Sequence, residues 1–264
     1  MYRRFLESRV GVTVLTLTVL LLVDTYINTL PFLRLLPRPF RLWTWQSAQV
    51  LVCLLAVALL HRLRPRAALL ELGLGPLTSR ALGFCAAAVL PMVLTYGAAA
   101  GFQVHLSWSD WVTQAVTAPL AEEVLYRGYV LGQLQRRAGW SFWGAALVGL
   151  APFALGHLYQ SVRAGHGLWG VAGVLAITGL GHLFFAWMLE RWGDLWVPIG
   201  MHALMNLSWD AFDVDATALG GTQANVARFA TVGLAIGLTL VLRRGQPGWG
   251  ETPPVSRSSS SYRD

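Results

Sequence analysis

Long apolar runs alternate with short, arginine-bearing connections along the whole chain. Eight of these runs approach the roughly 20 residues that a helix needs to cross the hydrocarbon core of a bilayer. The pattern therefore predicts an all-α, polytopic membrane protein with about eight transmembrane helices. The second run is short and must extend towards Trp43 and Trp45 or towards His61. The predicted spans cover residues 10–30, 46–60, 81–103, 111–134, 141–158, 168–189, 195–212 and 225–242.

The composition supports this class and excludes others. Hydrophobic residues make up 55% of the 264 residues and charged residues only 12%, whereas a typical soluble domain carries about 25% charged residues. The 12 Trp residues agree with a membrane protein, because Trp collects at membrane interfaces. Cys53 and Cys85 lie inside apolar runs and are too few for a disulfide framework.

Positive charge is distributed unevenly between the two sides of the predicted bundle. The net charge is +7 and all the basic residues are arginine, but they form no single patch, so no nucleic-acid partner is predicted. An excess of arginine in short connections marks the cytoplasmic side. Five arginines lie on the side away from the N-terminus, namely Arg34, Arg38, Arg41, Arg163 and Arg228. Fourteen share its side, namely Arg3, Arg4, Arg9, Arg62, Arg64, Arg66, Arg80, Arg136, Arg137, Arg191, Arg243, Arg244, Arg257 and Arg263.

This asymmetry predicts that both termini are cytoplasmic. The use of arginine for every basic residue is typical of a bacterial composition, so the protein is predicted to reside in the inner (plasma) membrane of a bacterium. Residues 1–244 are predicted to form one helical membrane domain, with a polar core at about 110–210. Residues 245–264 are rich in Pro, Gly and Ser and are predicted to be a disordered cytoplasmic tail. The N-terminal run lacks a small-residue cleavage site, so it is interpreted as a retained span rather than a signal peptide.

Six polar residues lie inside three of the predicted spans. An ionisable residue at the centre of a membrane helix costs at least about 2.5–3.5 kcal/mol, so such residues are usually functional. The six are Glu122, Glu123 and Arg127 in the fourth span, His157 in the fifth, and His202 and Asn206 in the seventh.

Helical spacing suggests how these side chains are arranged. Glu123 and Arg127 are four residues apart and can pair along one helix face. Glu122 points about 100° away from Glu123 around the helix and remains available. His202 and Asn206 also share a face. Two alternatives are purely structural: both carboxylates could share Arg127, or His202 and Asn206 could join two spans by a hydrogen bond.

These residue types fit hydrolysis of an amide bond. A desolvated carboxylate with a histidine can deprotonate water, and histidine and asparagine can donate to an oxyanion. In the alternative, Glu122, His157 and His202 bind Zn²⁺ and leave one position open for water. We favour the mechanism that requires no cofactor, because oxyanion donors explain Asn206 and zinc does not need it.

Three prolines lie close to these residues: Pro119, Pro152 and Pro198. Proline inside a helix removes a backbone hydrogen bond and bends the helix, so we predict three bent helices around a wet pocket. His182 is interpreted as a packing residue. Asp24 is interpreted as a residue that is paired or extends to the interface near the end of its span.

Three motifs in this order resemble the CAAX protease and bacteriocin-processing (CPBP) family of intramembrane proteases, which includes Rce1-type enzymes and Abi proteins. The motif E-E-x-x-x-R matches Glu122–Arg127, F-x-x-x-H matches Phe153–His157, and H-x-x-x-N matches His202–Asn206. The resemblance covers about residues 110–210.

The resemblance implies a membrane fold of about eight spans and endopeptidase activity on a membrane-associated peptide or protein. It implies that Glu122 and His157 activate water, that His202 and Asn206 form the oxyanion site, and that Glu123 and Arg127 form an orienting ion pair. Members of the family are often called metalloproteases, although a metal-free glutamate mechanism has also been argued.

Two other functions stay open from the sequence. One is a non-catalytic membrane protein of the same fold, acting in bacteriocin immunity or as a scaffold. The other is a small transporter or proton relay, which would also bury Glu, His and Arg. A transporter predicts an inverted repeat, and the spacing of the polar residues shows none.

Overall fold

Helices form most of the computed structural model, which describes residues 8–26, 29–165 and 167–256. No strand occurs among those residues, in agreement with the predicted all-α class. The helices are α1 (Arg9–Thr25), α2 (Arg38–His61), α3 (Pro65–Glu71), α4 (Ser79–Ala88), α5 (Leu90–Ala99), α6 (108–137), α7 (Phe142–Gly156), α8 (Tyr159–Ala164), α9 (Gly167–Trp192), α10 (Trp196–Ala211) and α11 (Thr222–Leu242), with short 3₁₀ turns at Pro31–Leu35 and Trp249–Glu251.

Short polar residues begin several of these helices. The hydroxyl oxygens of Ser8 and Ser141 accept hydrogen bonds from the backbone N–H groups of Gly11 and Gly144, at 3.0 and 3.1 Å. Such caps satisfy N–H groups that have no partner within the helix. Gly193, with φ +64°, follows the last residue of α9, where a left-handed conformation commonly ends a helix.

Each predicted span overlaps a helix, but not every helix is long and apolar enough to cross a membrane on its own. Within the described chain, four segments are long and apolar enough to do so: Arg38–His61, Phe142–Val162, Gly167–Trp192 and Thr222–Leu242. α4 and α5 form a fifth candidate, bent by 45°. α1 has 17 residues and α10 has 16, below the roughly 20 of a straight span. The chain is an integral membrane protein, and the count of eight spans stays a prediction.

The helices alternate in direction, so the bundle has two ends. The terminal end holds the beginning of α1 and the end of α11. There, Arg80 donates to the Leu242 carbonyl and Leu195 N–H to the Gly73 carbonyl, at 2.9 Å each. The distal end holds segments 29–37, 100–107, 157–165 and 212–221. There, His105 N–H donates to the Ala211 carbonyl, at 3.0 Å.

α6 is the central helix of the bundle. Two short parts of it are α-helical, Trp108–Val112 and Ala118–Glu122. Three others are wound as π-helix: Thr113–Thr117, Glu123–Leu131 and Gln133–Arg137. Every residue from 123 to 134 is buried. A helix that is buried on all sides lies in the interior of its bundle, so this part of α6 is surrounded by protein.

The C-terminal segment differs from the sequence expectation. Residues 245–256 were expected to be disordered, but Trp249 is only 4% exposed. The backbone N–H of Val255 donates to Glu71 and that of Gly250 to Glu190, at 2.7 and 3.1 Å. One buried indole, one buried carboxylate and one half-buried carboxylate provide the contacts that the Pro, Gly and Ser composition did not indicate. Residues 257–264 lie outside the described residues.

Candidate active site

A cavity of about 840 Å³ occupies the distal half of the bundle. Four of the six predicted site residues line it: Glu122, His157, His202 and Asn206. Glu123 and Arg127 are 0% exposed and lie behind the cavity wall. The structure therefore brings side chains from α6, α7 and α10 to one cavity.

Glu123 is bonded to two side chains at once. Its Oε1 lies 3.1 Å from Nη1 of Arg127, as the four-residue spacing predicted. The same oxygen accepts a hydrogen bond from Nδ1 of His202, at 2.8 Å. The second contact was not predicted, because Glu123 and His202 are 79 residues apart in sequence and no local spacing indicates it.

Arg127 is held entirely within the protein. Its Nη2 donates to the His182 carbonyl at 3.2 Å, and its guanidinium lies over the rings of Phe153 and Phe185, at 4.7 and 5.6 Å from their centroids. A buried charge of this kind is tolerated only when it is paired, and Glu123 provides that partner. Arg127 thus fixes the position of Glu123, and Glu123 fixes His202.

The hydrogen bond from Nδ1 determines which nitrogen of the His202 ring is free. A carboxylate can only accept, so Nδ1 carries the proton and Nε2 is left for other partners. Nε2 lies 3.9 Å from Oε2 of Glu122, and that oxygen has no hydrogen-bond partner in the described chain. The ring stacks on Phe185 at 4.9 Å. Glu122 and His202 therefore present an unpaired oxygen and nitrogen towards each other.

His157 is oriented by its own helix. Its Nδ1 donates to the Phe153 carbonyl at 2.7 Å, which leaves Nε2 as the free nitrogen of the neutral ring. The ring packs against Phe153 at 4.7 Å. No hydrogen bond joins His157 to Glu122 within the described part of the chain, so their pairing stays a prediction, although both line the same cavity.

Asn206 lines the cavity one helical turn from His202, nearer the distal end of α10. The spacing of four residues predicted this shared face. Both side chains line the same cavity as Glu122 and His157.

Two further polar residues have structural partners. His182 is 1% exposed, and its Nε2 donates to the Ala146 carbonyl at 3.0 Å, as expected for packing. Asp24 accepts from the Tyr126 hydroxyl at 3.1 Å. Tyr126 also lines the cavity and was not predicted as a site residue, although it lies inside the E-E-x-x-x-R motif.

The prolines do not all act as predicted. Pro152 lies inside α7 and Pro119 lies at a junction between α- and π-helical turns of α6. Pro198 is the third residue of α10. It lies in the first turn, where backbone N–H groups have no partner within the helix anyway, so it breaks no hydrogen bond and does not bend α10.

The side chains suggested as zinc ligands do not come together as a ligand set. Among the residues that the structure describes, no three His, Cys, Asp or Glu side chains are positioned to hold a metal ion. Glu122, His157 and His202 have suitable donor atoms, and Glu122 and His202 approach each other to 3.9 Å, but His157 does not complete a three-residue group with them. They therefore do not fit a metal ion in the arrangement described.

A comparison with protein-family models matches residues 104–208 to the type II CAAX prenyl endopeptidase Rce1-like family. Residues 104–208 belong to the CAAX protease family. All six predicted site residues lie within this CAAX protease segment. The family suggests a protease, and so a hydrolase, embedded in the membrane. No curated protein and no solved structure matches the chain significantly.

Proposed function

We propose that this protein is an intramembrane endopeptidase in which Glu122 and a histidine activate a water molecule. The observation that carries the proposal is the unpaired Oε2 of Glu122, which faces Nε2 of His202 inside the cavity. The substrate is a peptide segment of a membrane-associated protein. Both termini are cytoplasmic and the chain crosses the membrane eight times.

In the proposed reaction, Glu122 removes a proton from water as the oxygen attacks the carbonyl carbon of the scissile peptide bond. His157, with Nε2 free, holds the water or shares the proton. The proton then passes to the leaving nitrogen as the carbon–nitrogen bond breaks. Each of these is ordinary general acid–base catalysis, worth about 10²–10⁴-fold in rate.

Asn206 and His202 stabilise the oxyanion that forms on the carbonyl. The Asn206 amide donates as it stands, whereas His202 donates from Nε2 only when the ring carries both protons. Glu123 and Arg127 act as positioning residues, since Glu123 contacts His202, Arg127 contacts Glu123, and neither lines the cavity.

No metal is needed in this scheme. Residues 104–208 belong to a family named for prenyl endopeptidases, but a prenylated substrate is not part of the proposal. What supports hydrolysis here is the juxtaposition of a carboxylate, two histidines and an amide at one cavity, which neither a scaffold nor an immunity protein requires.

The test is hydrolysis of a quenched fluorescent peptide library by detergent-purified protein, with and without a zinc chelator. Glu122→Gln keeps the shape of the side chain but removes the base, so we expect a loss of about 10²–10⁴-fold in rate. Glu251→Gln, on an exposed residue of the terminal end, is the matched control. Glu122→Gln with wild-type activity would refute the assignment. Loss of activity on chelation alone would favour the zinc alternative.

A further inference from the structure

The cavity opens at one end of the bundle only. Its lining comes from the distal connections and from the distal and middle parts of the helices, and includes no residue from the terminal end. Its rim is formed by exposed residues of the distal end, among them His105, Asp110 and Asp213. Its floor, at Tyr126, Phe185 and His202, lies near the middle of the bundle.

The terminal end is closed beneath this floor. A layer of apolar side chains that are at most 1% exposed fills the space between α3, α6, α9 and α10: Leu72, Leu131, Leu134, Leu189 and Leu195. Below it, the two arginines 136 and 137 pair with Glu71, and the segment 246–256 lies across them. A polypeptide cannot reach Glu122 from this end without unpacking the core.

Arginine distribution assigns the two ends to the two sides of the membrane. Among the residues that the structure describes, the terminal end and its connections carry ten arginines and the distal end carries five. The connections are short, which is the condition under which an excess of arginine determines orientation. The terminal end is therefore cytoplasmic, and the distal end faces away from the cytoplasm.

We propose that the cavity of this protein receives polypeptide from the extracytoplasmic side of the membrane. Its substrates are segments exposed on that side, either of translocated proteins that remain membrane-associated or of membrane proteins with an extracytoplasmic stretch. Tails that end in the cytoplasm have no route to the site. The direction of access rests on the cavity and the arginines, and only the cleavage of what enters rests on the proposed function.

Cysteine labelling tests the direction of access without requiring any catalysis. Cys53 and Cys85 are 0% and 2% exposed, so the wild-type chain provides an unreactive background. Gly181 lines the cavity, and a Cβ there meets no atom within 4 Å. Three single variants are compared in spheroplasts of a bacterial host with a membrane-impermeant maleimide: Gly181→Cys in the cavity, His105→Cys at its rim and Ser79→Cys at the terminal end.

We expect His105→Cys and Gly181→Cys to react in intact spheroplasts and Ser79→Cys to react only after the membrane is opened. If Ser79→Cys reacts before opening and His105→Cys only after, the orientation is reversed and the proposal is overturned. If Gly181→Cys stays unlabelled even after detergent extraction while His105→Cys reacts, the cavity is not open at the distal end. That result also overturns it.

A second arm tests what happens to the polypeptide that enters. A peptide cleaved by the purified enzyme is fused to a membrane anchor so that it lies on one side of the membrane or the other. We expect cleavage only of the extracytoplasmic fusion, and none by Glu122→Gln. Equal cleavage on both sides, or cytoplasmic cleavage alone, contradicts the proposal. Normal labelling without cleavage on either side refutes the proposed protease function and leaves the direction of access intact.

Discussion

The pairing of Glu123 with both Arg127 and His202 is the central feature of the site at the scale of single residues. Glu123 neutralises a guanidinium that is 0% exposed and orients a ring that borders the cavity. Removing one partner of a buried pair leaves an uncompensated charge, whereas removing both leaves none. Removal of Glu123 alone should therefore destabilise the protein more than removal of Glu123 and Arg127 together.

Glu123→Gln is expected to lower the thermal unfolding midpoint in detergent strongly, because breaking a buried ion pair costs about 3–5 kcal/mol. Glu123→Gln combined with Arg127→Met, which removes both charges and keeps most of the volume, is expected to unfold at a higher temperature than Glu123→Gln alone. Differential scanning fluorimetry measures both. Strictly additive losses in the double variant would show that the pair is not coupled.

The sequence predicted this site only as far as local spacing extends. Intervals of four residues placed Arg127 beside Glu123 and Asn206 beside His202, because those contacts lie within one helix. The bond between Glu123 and His202 joins α6 to α10 and depends on helix packing, which no interval in the sequence encodes. The relation of Glu122 to His157 depends on the same packing and stays a prediction.

At the scale of helices, the start of α10 determines where His202 and Asn206 lie. Asp194 Oδ1 accepts from the Trp196 N–H at 3.0 Å, and the Trp196 indole donates to the Gly75 carbonyl at 2.6 Å. These contacts tie the beginning of α10 to the segment that follows α3. Burial raises the pKa of Asp194, and the hydrogen bond from Trp196 opposes that rise.

Asp194→Asn keeps the accepting oxygen and removes the charge, so its effect should depend on pH. A carboxyl whose pKa is raised by folding favours the protonated form in the native state. Wild-type stability therefore falls as pH increases through the interval above the ordinary Asp pKa. We expect the thermal unfolding midpoint of Asp194→Asn to rise relative to that of wild type as the pH is increased from acidic to neutral.

The matched control for this helix start is Asp194→Ala, which loses the accepting oxygen as well as the charge. Loss of a capping acceptor costs about 1 kcal/mol, so this variant should be less stable than Asp194→Asn at every pH. If the unfolding midpoint of wild type instead rose relative to that of Asp194→Asn as pH increased, the fold would stabilise the carboxylate. That result would contradict the effect expected from burial of this group.

Helix positions were predictable from the apolar runs, since each run overlaps a helix and the run 81–103 overlaps two, α4 and α5. The bends and the winding of the helices were less predictable from the sequence. Pro198 lies in a first turn, where it has no hydrogen bond to break, and the sequence gives no marker for that. The π-helical winding of α6 also has no signature in the spacing of its residues. Both depend on where a helix begins and on what surrounds it.

At the scale of the whole molecule, the C-terminal segment closes the terminal end. The Trp249 ring lies under the Arg136 guanidinium, at 4.8 Å, and so close to Gly132 that a Cβ there would meet it at 2.7 Å. Glu71 binds the backbone of Val255 and the side chain of Arg137. Composition predicted disorder here because it does not register a single well-placed indole.

Trp249→Ala is expected to release residues 246–256 from the bundle, because truncating a buried aromatic residue costs about 3–5 kcal/mol. Limited proteolysis followed by mass spectrometry should then show cleavage within that segment. Trp169→Ala, at a Trp that is 85% exposed, is the matched control and should leave the digestion pattern unchanged. Equal protection of the segment in both variants would mean that Trp249 does not hold it.

The burial of residues 123–134 of α6 on all sides has a consequence for the synthesis of the protein. Its middle carries two carboxylates and a guanidinium, and each would cost about 2.5–3.5 kcal/mol if it met lipid alone. The partners that surround it include α7, α9 and α10, which emerge later from the ribosome. The nascent chain must therefore hold this segment at the insertion machinery, or outside the lipid, until its C-terminal neighbours arrive. Assembly of the active centre and completion of membrane insertion become a single event.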